Sequence, residues 1–166
     1  MPRSLVEVVV SWNLPMHRWL KQYVFKQTRS RLGPGPAVVM TYIASTLLHG
    51  LSGQIAAVLL SLGFYTWVEH SLREKLSNIL DASIGARRES ESRRKHREGS
   101  AWIILLNLMF GLLSMFHLAY LGVMFDQSSP EQMTGYSWSH TMYKWRRLDF
   151  SSHWLIGVMA IINWLL

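Results

Sequence analysis

Two long stretches of this chain, residues 32–68 and 101–125, contain no Asp, Glu, Lys or Arg. A soluble amphipathic helix carries charged side chains on its exposed face, so uncharged stretches of this length are not typical of soluble proteins. A bilayer core is about 30 Å thick, and about 20 apolar residues span it as a helix. The pattern predicts an all-α protein with polytopic transmembrane helices, in which residues 1–166 form a single partial domain.

The composition excludes several classes of protein and site. Hydrophobic residues make up 49% of the chain and charged residues 16%, against about a quarter charged in a typical soluble domain. This balance excludes intrinsic disorder. Because there is no cysteine, disulfides, cysteine-based zinc sites and a thiol nucleophile are also excluded. Histidine and oxygen-containing groups must therefore carry any chemistry.

The first uncharged stretch is too long for one straight crossing. Its 37 residues would extend about 55 Å as a single helix. Two glycines and several polar groups interrupt the stretch at residues 47–54, where a helix can break. We therefore predict two apolar arms that meet near His49. Residues 101–125 are predicted to form one tilted crossing, and residues 152–166 a short last crossing.

The basic residues orient these crossings, because cytoplasmic flanks retain Lys and Arg during insertion. Residues 1–31 carry six basic residues and residues 69–100 carry eight, whereas residues 126–150 carry three. The first two segments are predicted to be cytoplasmic, with 69–100 forming a basic loop, and 126–150 to be lumenal or extracellular. Acidic residues interleaved in the basic loop argue against nucleic-acid binding.

A different pattern follows Pro15. Five apolar residues have the spacing of one helical face: Met16, Trp19, Leu20, Tyr23 and Val24. The spacing predicts an amphipathic helix over residues 15–32. It either lies in the membrane interface, with Trp and Tyr at headgroup depth, or packs against protein.

His49 is the first candidate for chemistry. It lies in the middle of the 32–68 stretch, and an ionisable side chain is costly to place in hydrocarbon. We therefore expect it to face the protein interior or a water-filled cavity. There, a neutral imidazole can accept a proton from a hydroxyl. The alternative is a structural histidine that bonds to a backbone carbonyl at the break.

Two other polar residues are considered beside His49. Asn13 precedes the amphipathic helix, and its neutral amide can donate a hydrogen bond to a carbonyl oxygen that gains negative charge. An asparagine before a helix is also an ordinary helix start. His117 lies deep in the second uncharged stretch and competes for the role of base, with packing in the helix as the alternative. The spacing of the histidines matches no metal-site motif, so we expect no metal.

Several motifs of the chain resemble the membrane-bound O-acyltransferase family. They include PRSLVEVV at residues 2–9, WNLPM at 12–16, LLHG at 47–50, FHLAYLG at 116–122 and SHW at 152–154. The resemblance covers nearly the whole chain and implies the C-terminal part of that family's fold. Because members of the family are considerably longer, we expect the 166 residues to be a fragment.

The resemblance also implies an activity. It indicates a multi-pass enzyme of the endoplasmic reticulum membrane that transfers palmitoleate from palmitoleoyl-CoA to a serine hydroxyl of Wnt proteins. The family's histidine falls on His49, as general base, and its asparagine on Asn13, which helps to position the reacting groups. The resemblance implies no cofactor beyond the acyl donor and no nucleic-acid partner.

Two other functions stay open from the sequence. A transporter or channel segment would use His49 and His117 to relay protons or gate a substrate, and would show pH-dependent flux. A family member without catalytic activity would bind lipidated or secreted partners after replacement of His49. Acyl transfer differs from both, because it moves label from an acyl-CoA to a serine.

Overall fold

The computed structural model describes residues 3–50, 52–86, 100–125 and 137–166 of the chain. The helices in chain order are α1 (Leu5–Trp12), α2 (Leu14–Leu20), a π-helical turn (Lys21–Phe25), α3 (Lys26–Leu32), α4 (Pro34–Leu48), α5 (Gly53–Ile79), α6 (Ala101–Gly122), α7 (Trp138–Arg147) and α8 (Ser151–Leu165). These described ranges contain no β-strand. The predicted all-α class is confirmed.

Two of the described helices are long and apolar enough to cross a membrane, namely α5 with 27 residues and α6 with 22. The pair α7 and α8, bent by 76° at a short break, adds a third crossing if the pair acts as one span. Helix α4 is apolar but shorter, with 15 residues, or about 22 Å. The predicted crossing over residues 101–125 thus corresponds to α6. The predicted short last crossing, residues 152–166, falls on the 15-residue helix α8, which is a candidate span only together with α7.

The predicted amphipathic helix is present over residues 14–32, but it is not one regular α-helix. A five-residue π-helical turn separates α2 from α3. Because a π turn holds more residues than an α turn, it rotates the residues that follow relative to the 3.6-residue period. Leu20 on the predicted apolar face is buried, whereas Trp19 and Tyr23 are 47% and 61% exposed. The helix ends at Gly33, whose φ of 90° suits a residue without a Cβ.

The predicted break near His49 is confirmed, because α4 ends at Leu48 and α5 begins at Gly53. The end of the second arm was predicted too early. Helix α5 continues without interruption to Ile79, so residues 69–79 of the predicted basic loop are helical. The charged residues Glu69 and Arg73 do not end the helix because both are buried against protein and bonded to each other. Residues 87–99 of that loop lie outside the described ranges.

The predicted lumenal segment, residues 126–150, contains helix α7, which the sequence analysis did not identify. Ser137 caps its N-terminus by accepting a hydrogen bond from the His140 N–H at 3.2 Å. The remaining residues of that segment before Ser137, 126–136, lie outside the part that the structure describes.

The chain, predicted as a single partial domain over residues 1–166, contains two compact units that interleave along the sequence. The first unit comprises Met1–Trp12, Tyr65–His117 and His153–Leu166, and the second comprises Asn13–Phe64 and Leu118–Ser152. Within the second unit, a Cβ added to Gly63 of α5 would lie 2.6 Å from the Tyr42 ring of α4. Only glycine fits at this contact, which brings the helix backbone and the ring close together.

The first unit is held together by a small apolar cluster and by a buried polar cluster. Ala82, Ile84 and Ile103 form the apolar cluster, with Leu76 and Leu106 packed against it. The polar cluster surrounds Arg73, which is fully buried. A fully buried arginine is tolerated only where its charge and its hydrogen-bond donors are satisfied.

Candidate active site

His49 lies at the C-terminal end of α4, in the break between the two apolar arms. Its backbone N–H donates to the Ser45 carbonyl at 3.1 Å, which completes the last turn of the helix. Gly50 follows with a φ of 88°, a left-handed conformation that favours glycine. Its N–H donates to the Leu47 carbonyl at 3.2 Å. The LLHG sequence is therefore a helix stop in which the glycine makes the turn and the histidine caps the end.

The side chain of His49 is exposed, as are those of Leu47 and Leu48 before it. Of the two expected settings for His49, the protein interior and a water-filled cavity, the first is not found among the described residues. The expectation rested on the cost of placing an ionisable group in hydrocarbon. At the end of a helix, however, the side chain projects beyond the last turn and is not enclosed by neighbouring turns. Within the described residues, the imidazole makes no hydrogen bond and is open to a substrate.

Asn13 lies at the N-terminus of α2 and caps it. Its Oδ1 accepts a hydrogen bond from the Met16 N–H at 3.1 Å, and its own carbonyl accepts one from the His17 N–H at 2.8 Å. Pro15 in the first turn is well placed there because its missing N–H would have no partner within the helix. The alternative that Asn13 marks a helix start is thus correct for its side-chain oxygen.

The cap uses only one end of the Asn13 amide. Because Oδ1 is held by the Met16 N–H, the Nδ2 group keeps its two N–H donors. The side chain is exposed, and no acceptor for Nδ2 occurs among the residues that the structure describes. An amide fixed at one end and open at the other is suited to donate to an oxygen of a bound substrate.

Asn13 and His49 both belong to the second compact unit. In the described part of the chain no hydrogen bond joins their side chains, so the structure does not bring them together as a preassembled pair. Each lies at a helix end, with its reactive group exposed. Such an arrangement can act on a substrate that contacts both residues, with one group as base and the other as donor.

His117 belongs to a different environment. It is buried in the first unit, and its ring lies 5.0 Å from the ring of Tyr65 in an edge-to-face arrangement. His153 of α8 contacts the same tyrosine, with ring centroids 5.5 Å apart. His117 is thus a packed residue, and its ring contacts Tyr65 of another helix. Helical spacing predicts contacts with Ser114 and Tyr120 of its own helix instead. The sequence analysis identified neither Tyr65 nor His153 as its partner, because each comes from a distant part of the chain.

The sequence analysis also missed the buried ion pair of Glu69 and Arg73, whose Oε1 and Nη1 atoms are 3.4 Å apart. Oε2 of Glu69 accepts a hydrogen bond from the Leu5 N–H at 3.0 Å, at the start of α1. Arg73 donates from Nη2 to Asn107 Oδ1 of α6 at 2.8 Å. The i, i+4 spacing of opposite charges was visible in the sequence and is typical of a helical ion pair. The prediction of a basic loop over residues 69–100 is wrong at these two residues.

Every N–H donor of the Arg73 guanidinium is hydrogen-bonded. Beyond Glu69 and Asn107, its donors reach three backbone carbonyls, those of Arg3 at 2.9 Å, Ile84 at 2.9 Å and Gly85 at 3.2 Å. Five acceptors thus match the five N–H donors of an arginine. The pair therefore joins the N-terminal segment, the segment after α5 and helix α6, and it is a structural group of the first unit.

Known proteins share sequence with nearly the whole of this chain. The model of the MBOAT, membrane-bound O-acyltransferase family, matches residues 2–79, a range that includes Asn13 and His49. The chain is 51% identical over 160 residues to the protein-serine O-palmitoleoyltransferase porcupine of Homo sapiens. The aligned region makes up 93% of this chain and 34% of the human protein. The porcupine proteins of Anopheles gambiae and Drosophila melanogaster are 40% and 36% identical, over 93% and 99% of this chain.

The chain spans about a third of the length of these relatives. The similarity extends beyond the range of the family model to nearly all of the 166 residues, including helices α6 to α8. Apolar helices of membrane-spanning length agree with a multi-pass membrane protein. By these matches the chain is similar to membrane-bound O-acyltransferases, over residues 2–79 by the family model and over nearly its whole length by the porcupine proteins.

Proposed function

We propose that the full protein transfers palmitoleate from palmitoleoyl-CoA to a serine hydroxyl of Wnt proteins, with His49 and Asn13 at the reacting groups. The observation that supports this most directly is the sequence identity of 51%, over 93% of the chain, to a relative named for serine O-palmitoleoyl transfer. Both residues lie at helix ends with exposed side chains, where a substrate can reach them.

His49 is suited to act as the general base. Its neutral imidazole accepts the proton of the serine hydroxyl as the serine oxygen attacks the thioester carbonyl. A carbon–oxygen bond forms, the carbon–sulfur bond breaks, and the imidazolium returns the proton to the leaving thiolate of coenzyme A. The products are the serine ester and free coenzyme A, with His49 neutral again.

Asn13 is suited to stabilise the charge that develops in this step. The thioester oxygen becomes negative as the serine attacks, and an N–H donor that is already oriented stabilises that charge without reorganising. The cap bond from Met16 holds the amide by its oxygen and directs no donor to protein. Asn13 therefore contributes through Nδ2, and its role does not require a direct bond to His49.

A membrane location follows from the substrates. Acyl-CoA is cytosolic and too charged to cross a bilayer, whereas a secreted acceptor is on the other side. The acyl-CoA and the acceptor must therefore meet at a site that is accessible from both faces of the bilayer. A break between two apolar helices, as at His49, exposes polar groups at membrane depth where they can line a cavity. We assign the protein to the endoplasmic reticulum membrane, where secreted proteins are modified.

The test is palmitoleoyl transfer by the full-length protein in membranes, comparing wild type with His49→Ala. We expect transfer to a Wnt acceptor to fall about 10²–10⁴-fold, the usual contribution of a general base. His70→Ala is the matched control, since His70 is an exposed histidine of α5 in a weak pair with Glu74. It should leave transfer unchanged.

Equal labelling by wild type and His49→Ala would reject the mechanism. Wnt association without labelling in either form would instead support a non-catalytic family member. Both outcomes require that the variant is present in the membrane in wild-type amounts, which immunoblotting measures.

A further inference from the structure

Helix α7 carries a groove that the acyl-transfer chemistry does not use. The groove has a volume of about 380 Å³ and is lined by Trp138, Ser139, Met142, Tyr143, Arg146 and Phe150. The first five are spaced along one side of α7, and Phe150 comes from the corner that follows the helix. Trp138 and Tyr143 are 54% and 56% exposed, so the groove is open along its length.

The Phe150 wall is held by an unusual backbone. Asp149 and Phe150 have φ values of 50° and 49°, which non-glycine residues rarely adopt. The Phe150 N–H donates to the Trp145 carbonyl at 3.0 Å, and the Asp149 N–H donates to the Arg146 carbonyl at 2.9 Å. These bonds cap α7 and hold the corner. Backbone conformations that are rare for a residue type cluster at functional sites, so the left-handed Phe150 supports a functional role for the groove.

The charges of the groove favour an anionic ligand. The last turn of α7 contains Lys144, Arg146 and Arg147, and the helix contains no acidic residue. Arg146 is exposed and lines the groove, whereas Arg147, whose Cζ lies 5.8 Å from the centroid of the Tyr143 ring, does not line it. One end of the groove is thus cationic and the rest is aromatic and apolar.

We propose that this groove binds an anionic phospholipid. Its headgroup phosphate pairs with Arg146, and one acyl chain lies against Trp138, Met142 and Phe150. Helix α7 leads directly into the apolar helix α8, and the bent pair is together long and apolar enough to cross a membrane, so membrane lipid is the amphiphile nearest to the groove. An arginine guanidinium pairs with a phosphate through charge-assisted hydrogen bonds, and Trp and Tyr are suited to the headgroup region of a bilayer.

The test measures lipid retained by the full-length protein. The protein is equilibrated with phosphatidylcholine vesicles that contain deuterated phosphatidylserine, purified in mild detergent, and analysed for bound lipid by mass spectrometry. Arg146→Gln should weaken phosphatidylserine binding about tenfold, as for the loss of one charged hydrogen bond. Arg147→Gln removes the same charge from the neighbouring residue, which does not line the groove, and should change binding little.

A second pair of variants tests the aromatic wall. Phe150→Gly removes the ring, and glycine accepts the left-handed backbone, so the corner is preserved. It should lose phosphatidylserine binding, whereas Asp149→Gly, at the adjacent left-handed residue, should retain it. Equal losses in Arg146→Gln and Arg147→Gln would reduce the effect to general surface charge and overturn the proposal. Full binding by Phe150→Gly would also overturn it.

Discussion

At the scale of single residues, the two ends of the Asn13 amide are in different situations. Its side-chain oxygen caps α2 by accepting the Met16 N–H, and its nitrogen keeps two donors exposed. The sequence analysis treated the cap and the catalytic role as alternatives. The structure shows that one amide group can serve as the cap and still present a donor, because the two ends of an amide differ in hydrogen-bonding chemistry.

This separation makes a prediction for Asn13→Asp. An aspartate caps a helix as well as an asparagine does, so the variant should keep wild-type thermal stability. It has no N–H donor, so palmitoleoyl transfer by the full-length protein should fall about 10²–10³-fold, as for loss of one oxyanion donor. Asn13→Ala removes both the cap and the N–H donor, so it should lose transfer activity and about 1 kcal/mol of stability. Wild-type transfer by Asn13→Asp would leave Asn13 with the capping role alone.

The position of His49 was predicted from the sequence, but its environment was not. The two glycines and the polar residues at 47–54 indicated a helix break, and α4 does end at Leu48. The expected settings were the protein interior or a water-filled cavity, and the described residues do not enclose the imidazole because it lies at the break itself. A residue that caps a helix lies at its end, where neighbouring turns do not cover it.

At the scale of helices, α5 shows how tertiary contacts override a local rule. Charged residues after an apolar run usually mark the end of a membrane segment, and residues 69–100 were assigned to a loop on that basis. Glu69 and Arg73 instead lie on a continuous helix and bond to each other and to distant backbone groups. The acceptors come from residues 3, 84, 85 and 107, which no local pattern could associate with Arg73.

We expect Arg73→Met to destabilise the full-length protein by about 3–5 kcal/mol, because it leaves the Glu69 carboxylate buried without its partner. Glu74→Gln is the control, since His70 and Glu74 have the same i, i+4 spacing on the same helix but are 49% and 40% exposed. That change should cost less than about 1 kcal/mol. Thermal unfolding in detergent measures both.

The double variant Glu69→Gln, Arg73→Met tests the cause. Once no buried charge is left, part of the lost stability should return. The single variants for comparison are Glu69→Gln and Arg73→Met. If the stability loss of the double variant equals the sum of their two losses, the hydrogen bonds to the backbone, and not the ion pair, make the main contribution to stability.

At the scale of the whole molecule, exposed apolar surface agrees with a membrane setting. Helix α6 exposes Ile104, Leu108 and Leu112 at helical spacing along one face, while Ile103, Phe110 and Ser114 are buried. An exposed apolar face of this length is not suited to water. In the full protein, lipid and further helices can cover it, since the chain spans about a third of its relatives.

The charge distribution makes a topology prediction that is simple to test, because the chain contains no cysteine. In an otherwise cysteine-free full-length protein in intact microsomes, a membrane-impermeant maleimide should label Ser30→Cys and Ser92→Cys. It should label Ser129→Cys only after permeabilisation, since residues 126–150 are predicted to be lumenal. Labelling of all three in intact microsomes, with a lumenal marker protected, would contradict the predicted orientation.

The sequence alone determined the class of this protein, the break at His49 and the identity of Asn13 and His49 as candidates. These follow from local quantities: apolar length against bilayer thickness, glycine at a turn and motifs of contiguous residues. The tertiary structure decided which polar groups are hydrogen-bonded within the protein. Two of its features join residues that are distant in the chain, namely the Arg73 network and the packing of His117 on Tyr65. A third, the groove lined by Phe150, depends on an unusual backbone. Such contacts depend on three-dimensional packing, which sequence spacing does not encode.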